Sequence, residues 1–242
     1  MSPSRSDRYG TTFEAVFSNE KVLVFFGTRH TTRESVINLF PFNGLQFAYL
    51  KQVHGCHCEF VGPAWPFFGA DIRDGHPTGD ALYTKDKNVA LGITTADCLP
   101  ILVYDPKLGQ VLAVHAGWRG LVEKILAKSL NRLISAGSMA SEFQVWLGPH
   151  IRRESFEVGL DVAQQLAAAS RLGEIAIYEH ANSQKKYVDL MMIARAQLLD
   201  CGIPEKQIWI DGRDTFKDLI LPSYRREGAH SGRIVSLIMK ST

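Results

Sequence analysis

The sequence predicts an α+β fold in which mixed β-sheets are layered against helices. In the first half, apolar runs are short, rich in branched and aromatic residues, and bounded by Gly, Asp or Pro, as expected of strands. In the second half, segments with helical spacing alternate with further strand-like runs, a pattern that favours a layered mixed-sheet fold over a doubly wound one. The 242 residues, 45% of them hydrophobic, can bury one sizeable core, so a single domain over residues 1–242 is predicted.

The positions of the predicted elements follow from these patterns. Strands are predicted at residues 21–27, 46–53, 89–95, 100–105, 110–116, 143–148 and 233–239. The first helix follows the HAGWRG turn and runs from Gly120 to Gly137, and Gly137 is placed to end it. Two further helices are predicted at about residues 160–171 and 190–201.

Charge and composition narrow the class of partner. The formal net charge is +2 and no Lys/Arg run marks a surface for nucleic acid or a membrane, so a small-molecule partner is predicted. The amino terminus has no apolar stretch behind its basic residues, and a secretory signal is not expected. The cysteines, at positions 56, 58, 98 and 201, do not resemble a disulfide framework, which favours a cytoplasmic location with reduced thiols. The oligomeric state stays open.

Two imidazoles and one thiolate, from His54, Cys98 and His115, form a ligand set suited to zinc. Three protein ligands leave a fourth tetrahedral position for water or substrate, which is typical of a catalytic site. His54 ends one predicted strand, Cys98 follows a second and His115 ends a third, so the three side chains can converge. Spacing alone nevertheless favours a simpler interpretation, in which the cysteine is a small buried residue and each histidine a hydrogen-bonded residue at a strand end.

The short sequence motifs around these residues favour the metal site over that simpler interpretation. From about Thr28 to Met239 the chain contains, in order, TRHTT, KQVHG, GDALYT, TADCLPILVYDP, AVHAGWRG, GPHI with FEVG, and SYRREG with GR. These words resemble the YfiH-like family, whose members are also labelled laccase-domain or multicopper polyphenol oxidase proteins and purine nucleoside phosphorylases. The resemblance implies that the metal ligands are His54, Cys98 and His115. It also implies a layered fold related to cysteine hydrolases of the necrotizing-factor type.

Phosphorolysis of purine nucleosides is the activity that the resemblance implies. Adenosine, inosine, guanosine and methylthioadenosine are the implied substrates, and hydrolytic deamination of adenosine is a second implied reaction. Purine nucleosides and phosphate are therefore the expected partners, and zinc, or else copper, is the expected cofactor. The three ligands would then form the catalytic centre, where zinc activates water for the deamination.

Several side chains are candidates for holding phosphate. Arg119 lies in the turn formed by residues 117–120, where amide N–H groups at a helix start can also bind an anion. Arg29 and His30, both in TRHTT, are brought to the pocket only by the family resemblance. For either arginine the alternative is a surface or structural ion pair.

Two carboxylates lie close in sequence to the proposed ligands, Asp80 in GDALYT and Asp97 beside Cys98. Each could shuttle protons, orient a histidine ligand through a hydrogen bond, or bind backbone amides in a turn. For both we expect the orienting or structural role rather than proton transfer.

The chain also departs from the family pattern. It is short between TRHTT and KQVHG, and after GPHI it carries Arg152, Arg153, Glu154 and Ser155 where relatives have small residues and cysteines. Ala194 stands where relatives often have Asn, and Asp214 precedes Thr215 where a Cys-Thr pair is common. None of these changes affects the three ligands, but larger charged side chains near a pocket can change which purine or sugar fits.

Three other functions stay open. Copper-dependent oxidation of phenols is disfavoured, because laccase chemistry needs several copper centres and many histidines and this chain has eight. Amide hydrolysis of a muramyl precursor, suggested by family members that proofread cell-wall precursors, would use Cys98 as a nucleophile or as a zinc ligand beside activated water. The third is a non-catalytic role in binding a metal or a partner.

Overall fold

A six-stranded mixed sheet forms the centre of the molecule. The computed structural model describes residues 15–18, 21–32, 36, 45–65 and 77–240. Across the six-stranded sheet the order is β13 (Ile208–Ile210), β9 (Gln144–Leu147), β7 (Leu99–Asp105), β8 (Gln110–Ala116), β5 (Ala81–Thr84) and β4 (Cys58–Phe60). The four inner strands pair antiparallel, and the short edge strands β13 and β4 pair parallel with their neighbours.

A second, five-stranded sheet packs against one face of the central sheet. Its order is β1 (Ala15–Ser18), β2 (Val22–Phe26), β14 (Ile234–Lys240), β6 (Val89–Thr95) and β3 (Gln46–Ala48), with only β3 and β6 parallel. Side chains such as Phe26, Leu91 and Ile238 from this sheet share a core with Leu102 and Tyr104 of the central one. The two sheets are therefore two layers of one structure.

Helices cover the opposite face of the central sheet. They are α1 (Trp118–Val122), α2 (Ile125–Ser135), α3 (Leu160–Ala167) and α4 (Leu190–Asp200); α5 (Tyr224–Glu227) is a separate single turn. Leu126 and Leu133 of α2 pack with Ile101 and Val103 of β7 in the larger core. Because β7 and β8 are covered on both faces, every residue in them is buried, which explains their uninterrupted apolar runs.

A small antiparallel sheet completes the architecture, with the order β10 (Glu157–Gly159), β12 (Lys185–Val188) and β11 (Ile177–Glu179). The α+β class with mixed sheets is confirmed. Strand-like runs at 21–27, 89–95, 100–105, 110–116, 143–148 and 233–239 all contain strands at about their predicted positions. No helix in the described ranges is long and apolar enough to cross a membrane.

Two element predictions were wrong. The helix predicted from Gly120 to Gly137 is divided into α1 and α2, because Lys124 takes a left-handed conformation with φ of 62°. The strand predicted over residues 46–53 ends at Ala48, and the chain then leaves the sheet for a turn. Both differences lie next to residues of the candidate site.

Candidate metal centre and cavity

The three proposed ligands converge, with the ligand atoms of His54, Cys98 and His115 all within 4.8 Å of one another. Cys98 immediately precedes β7 and His115 is the penultimate residue of β8, and these two strands are antiparallel neighbours in which Pro100 pairs with His115. The start of one strand therefore lies beside the end of the other. His54 approaches from a turn rather than a strand end, and its ring meets that of His115 edge to face at 4.8 Å between centroids.

One buried carboxylate, that of Asp80, holds both histidines. Its Oδ1 accepts a hydrogen bond from Nδ1 of His115 at 2.8 Å and from the backbone N–H of His54 at 2.9 Å. Its Oδ2 accepts from the backbone N–H of Gly55 at 2.7 Å and of Val53 at 3.3 Å. The bond to His115 fixes Nδ1 as the protonated nitrogen and leaves Nε2 free to act as a ligand.

The same carboxylate explains the turn at His54. Three consecutive N–H groups point at Asp80, so this backbone cannot continue the pairing pattern of a strand. His54 consequently has a left-handed φ of 62°, a conformation that is unusual for a residue other than glycine. Strained backbone at a residue that contributes a side chain to the site, as at His54, is common at functional centres.

Charge in the site favours a thiolate beside an imidazolium. Burial by itself raises the pKa of the Cys98 thiol, but His115 and His54 outweigh it and lower that pKa. Burial by itself lowers the pKa of His115, but the neighbouring Cys98 and the Asp80 carboxylate outweigh burial and raise that pKa. Metal binding through this pair would therefore release a proton from His115.

Two glycines in the HAGWRG word let α1 approach the ligands. A Cβ atom on Gly117 would lie 3.3 Å from Sγ of Cys98 and 3.3 Å from Cδ2 of His54. A Cβ atom on Gly120 would lie 3.0 Å from the carbonyl oxygen of Gly55. The absence of side chains at these two positions is thus what allows the helix to pack directly against two ligand-bearing segments.

The ligands open onto a cavity of about 740 Å³. This volume lies within the usual range for small-molecule sites, roughly 300–1,000 Å³. Its other walls combine positive side chains, aromatic rings and a polar edge: Lys51, Arg119, Arg225 and Arg233; Trp118, Phe156 and Tyr224; Gln52, Thr94, Thr95 and Asp97, with Leu50, Ala96 and Ile151. The four cations outnumber the single carboxylate, so the cavity suits an anionic ligand with an attached planar ring.

The remaining predicted site residues divide into two groups. Arg119 lines the cavity, with its guanidinium 4.4 Å from the ring centroid of Trp118. Asp97 also lines the cavity, but its carboxylate accepts from Oγ1 of Thr215 and from the backbone N–H of Arg225, both at 2.6 Å. Those bonds join chain segments and do not reach a histidine ligand.

Arg29 and His30 do not line this cavity. The Arg29 guanidinium pairs with Glu227 at 2.6 Å and donates to the carbonyl of Leu221 at 3.3 Å, which is the ion-pair alternative considered for it. His30 is exposed. Of the departures from the family pattern, Asp214 accepts hydrogen bonds from Oγ of Ser155 at 2.6 Å and from the Arg152 amide at 3.3 Å, so three of the changed positions are linked to one another.

Sequence reasoning missed most of the cavity wall. Phe156, Arg225 and Arg233 lie in the family words FEVG, SYRREG and GR, but no local pattern in those words marks them as residues of a pocket. Tyr224 and Arg225 occur in the family word SYRREG, which was the only available signal for them. Gln52 was also missed; its side-chain amide donates to the Thr94 carbonyl and accepts from the Thr94 amide, both at 2.8 Å.

The His–Cys–His group can bind a metal ion. It offers two imidazole nitrogens and one thiolate, a donor set of the kind found in catalytic zinc sites with three protein ligands. The hydrogen bond from His115 to Asp80 is the arrangement by which proteins commonly orient a metal-binding histidine. Within the described ranges, this is the single group of three or more potential ligand side chains.

The layered α+β fold is that of a known class of protein. The fold is shared with the crystal structure of Bacillus licheniformis YfiH, with a TM-score of 0.87 and 22% identity over 96% of this chain and 98% of that one. The chain belongs to the family described as multi-copper polyphenol oxidoreductase laccase, whose model matches residues 30–241. The resemblance to the YfiH-like family is thereby confirmed.

Named relatives in this family carry two enzyme names. A Deinococcus radiodurans protein named purine nucleoside phosphorylase is 36% identical over 193 residues, covering 79% of this chain and 69% of the relative. A protein from an unknown prokaryotic organism named adenosine deaminase is 30% identical over 187 residues, covering 76% of this chain and 71% of the relative.

Proposed function

We propose that this protein is a zinc-dependent purine nucleoside phosphorylase that also deaminates adenosine. The observation that carries the proposal is the His54–Cys98–His115 group on the wall of a cavity with four positive side chains and three aromatic ones. Methylthioadenosine is included among the expected nucleosides. The names of the relatives support the same assignment.

The cavity wall fits the two substrates of phosphorolysis. In this reaction a phosphate oxygen bonds to C1′ of the ribose, and the bond from C1′ to the purine nitrogen breaks with its electron pair leaving on the base, which takes up a proton. Positive side chains on the wall can bind the phosphate oxygens and keep the nucleophile beside the sugar. Trp118, Phe156 and Tyr224 offer apolar faces against which a purine can stack.

The donor set fits zinc, which would be held by His54, Cys98 and His115. Bound there, zinc would supply a Lewis acid able to bring the pKa of water towards neutrality, as deamination requires. The part played by the chain is orientation, because Asp80 keeps the His115 ring in one tautomer and holds the His54 turn in place. A multicopper oxidase mechanism is disfavoured by the single ligand group in the described ranges.

The decisive experiment is phosphate-dependent release of hypoxanthine from inosine, on protein whose zinc and copper contents have been measured. We expect turnover to require phosphate and to follow zinc content. Cys98→Ala should lose both the metal and the activity. Cys201→Ala is the matched control, since this cysteine lies outside the cavity, and it should keep both.

Either of two results would overturn the proposal: a zinc-loaded wild type that leaves inosine intact, or a Cys98→Ala variant with full activity. Deamination is measured separately, as ammonia released from adenosine in phosphate-free buffer. A protein that deaminates without phosphorolysis would be reassigned as a hydrolase of the same site.

A second candidate function is amide hydrolysis without a metal. It is favoured by one specific observation, the succession of Cys98, His115 and Asp80: the ligand atoms of Cys98 and His115 lie within 4.8 Å of each other and His115 is hydrogen-bonded to Asp80, which is the order of a nucleophile, a base and an orienting carboxylate. Chelation and alkylation separate the two candidates. Activity that survives exhaustive chelation but not alkylation of Cys98 supports the hydrolase. Activity that is lost on chelation and restored by added zinc supports the zinc enzyme.

A further inference from the structure

Asp97, the residue before Cys98, connects the proposed metal centre to distant parts of the cavity wall. Its carboxylate uses both oxygens, one for Oγ1 of Thr215 and one for the backbone N–H of Arg225, each at 2.6 Å. Its carbonyl accepts from the amide of Ile151 at 3.0 Å. The residue is buried and has a left-handed φ of 83°, so this turn is shaped around the three contacts.

The helical turn α5, which carries Arg225, is held by further hydrogen bonds as well. Ser223 caps it by accepting from the amide of Arg226 at 3.2 Å. The Arg226 guanidinium donates to the carbonyls of Thr215 and Phe216 at 2.7 Å and of Leu221 at 2.6 Å. Since Asp97 binds the backbone N–H of Arg225 and the Arg226 guanidinium binds three carbonyls of neighbouring segments, the backbone at Arg225 has one defined position relative to Cys98.

The Arg225 side chain keeps its positive charge available to the cavity. Its Nη2 donates to the carbonyl of Glu157 at 2.8 Å, and its guanidinium lies 5.9 Å from the ring centroid of Phe156. The Glu157 carboxylate is bound instead by Lys185 at 2.5 Å and His180 at 2.8 Å. In the described part of the chain no carboxylate forms an ion pair with Arg225, in contrast to Arg226, which pairs with Glu227.

We propose that Arg225 binds the oxyanion of the substrate and that Asp97 is a positioning residue that sets Arg225 at the correct place in the cavity. A guanidinium anchored through one Nη retains donors on Nε and the other Nη, which suit the oxygens of a tetrahedral oxyanion. Asp97 acts through the backbone of Arg225 and does not touch the ligand itself. The inference rests on the proposed function for the identity of the anion, which is inorganic phosphate.

The test measures binding of inorganic phosphate to the zinc-loaded protein by titration calorimetry, together with KM values for phosphate and inosine. Arg225→Met should weaken phosphate binding roughly tenfold to a hundredfold, as expected for losing charge-assisted hydrogen bonds. The KM for phosphate should rise by a similar factor, while the KM for inosine and the zinc content should stay within about twofold. Arg225→Lys keeps the positive charge but not the planar guanidinium. Its affinity for phosphate should therefore lie between those of the wild type and Arg225→Met.

Asp97→Asn should raise the KM for phosphate severalfold with little effect on the KM for inosine, a split that a general loss of folding would not produce. Thr215→Val removes only the other partner of Asp97 and should have a smaller effect. Arg171→Met is the matched control, because Arg171 pairs with Asp200 on an exposed surface outside the cavity, and it should bind phosphate like the wild type. If Asp97→Asn fails to fold, Thr215→Val still tests the positioning role and the Arg225 variants still decide the anion site.

The outcomes separate this inference from the proposed function. Phosphate binding that depends on Arg225 in a protein that does not cleave inosine would support the anion site and overturn the phosphorylase assignment. Normal phosphate affinity in Arg225→Met, in a protein that does cleave inosine, would overturn the anion site alone. A wild type that does not bind phosphate at all would also overturn it.

Discussion

One side chain, that of Asp80, holds most of the candidate metal centre in place. It is fully buried and accepts four hydrogen bonds, one from the His115 ring and three from the backbone around His54. Burial by itself raises the pKa of the Asp80 carboxyl, but the bonds from His115, Gly55 and His54 outweigh it and keep that pKa below its usual value. The carboxylate is therefore ionised and complementary to donors on both histidine segments.

Asp80→Asn tests this role at the scale of the residue. The amide has one accepting oxygen instead of two, and its NH₂ group would face a donor, so at least one of the two histidine segments loses its support. We expect zinc affinity to fall roughly tenfold to a hundredfold. The measurement is competition with a chromophoric chelator. Asp200→Asn, at an exposed aspartate that pairs with Arg171, should bind zinc normally; equal affinity in the two variants would refute the role given to Asp80.

The contrast between Asp80 and Asp97 shows what a sequence can predict about a site residue. Both were expected to orient or support rather than to transfer protons, because each lies near a ligand in the sequence. The partners of Asp80 include two of the proposed ligands, His115 and His54, whereas the partners of Asp97 are 118 and 128 residues away. Proximity in sequence therefore identified the residues, but only the folded chain decides which segment each carboxylate holds.

Helix α1 links the ligand group to the cavity at the scale of the element. It carries Trp118 and Arg119 on the cavity wall, and Gly117, the residue before it, lies directly against Cys98 and His54. A single long helix was predicted here because apolar spacing continues across residues 121–134. The break at Lys124 depends on tertiary contacts: the Leu121 carbonyl accepts from the Gln197 side chain at 2.9 Å, and the Lys124 side chain donates to the carbonyl of Ala169.

Gly117→Ala tests whether this close approach is required. The added methyl group would meet Sγ of Cys98 and Cδ2 of His54 at 3.3 Å, a separation that forces one or both ligands to shift by a few tenths of an ångström. Overpacking of this kind costs roughly 1–3 kcal/mol. We expect weaker zinc binding and lower turnover with an otherwise intact fold.

Gly212→Ala provides the comparison, because a Cβ atom there meets nothing within 4 Å and the glycine needs no left-handed conformation. Chelator competition and circular dichroism on both variants separate a local effect on the ligands from general unfolding. Wild-type zinc affinity in Gly117→Ala would show that the ligands tolerate a wider spacing than the structure has.

At the scale of the whole molecule, the layers were predictable and the cavity wall was not. Strands β7 and β8 are buried on both faces, and their continuous apolar runs signal this directly. The small sheet of β10, β11 and β12 is mostly half-buried and has no such run, and for that reason it was not predicted. The cavity is assembled where loops after several strands meet, and the residues of such a meeting point share no local pattern.

Burial of a titratable group also makes the stability of the whole molecule depend on pH. His150 is buried, and its Nδ1 donates to the carbonyl of Gly148 at 2.9 Å. Burial lowers the pKa of His150 to about 4 from its ordinary 6.5, despite the opposing effect of that hydrogen bond. Between these two values the unfolded chain binds a proton at this position and the folded chain does not, so the stabilisation is complete above pH 6.5 and is lost as pH falls towards 4.

The loss at His150 should reach about 3 kcal/mol at pH 4, with a slope of at most about 1.4 kcal/mol per pH unit. Urea unfolding of wild type and His150→Gln between pH 4 and 7, at matched zinc content, measures the difference between them and cancels groups that both proteins share. We expect the variant to be less stable at pH 7 but to lose less stability on acidification, because its unfolded chain has no proton to take up at position 150. His230→Gln, at an exposed histidine, should follow the wild type. Parallel curves for wild type and His150→Gln would mean that another buried group, rather than His150, determines the sensitivity of this fold to acid.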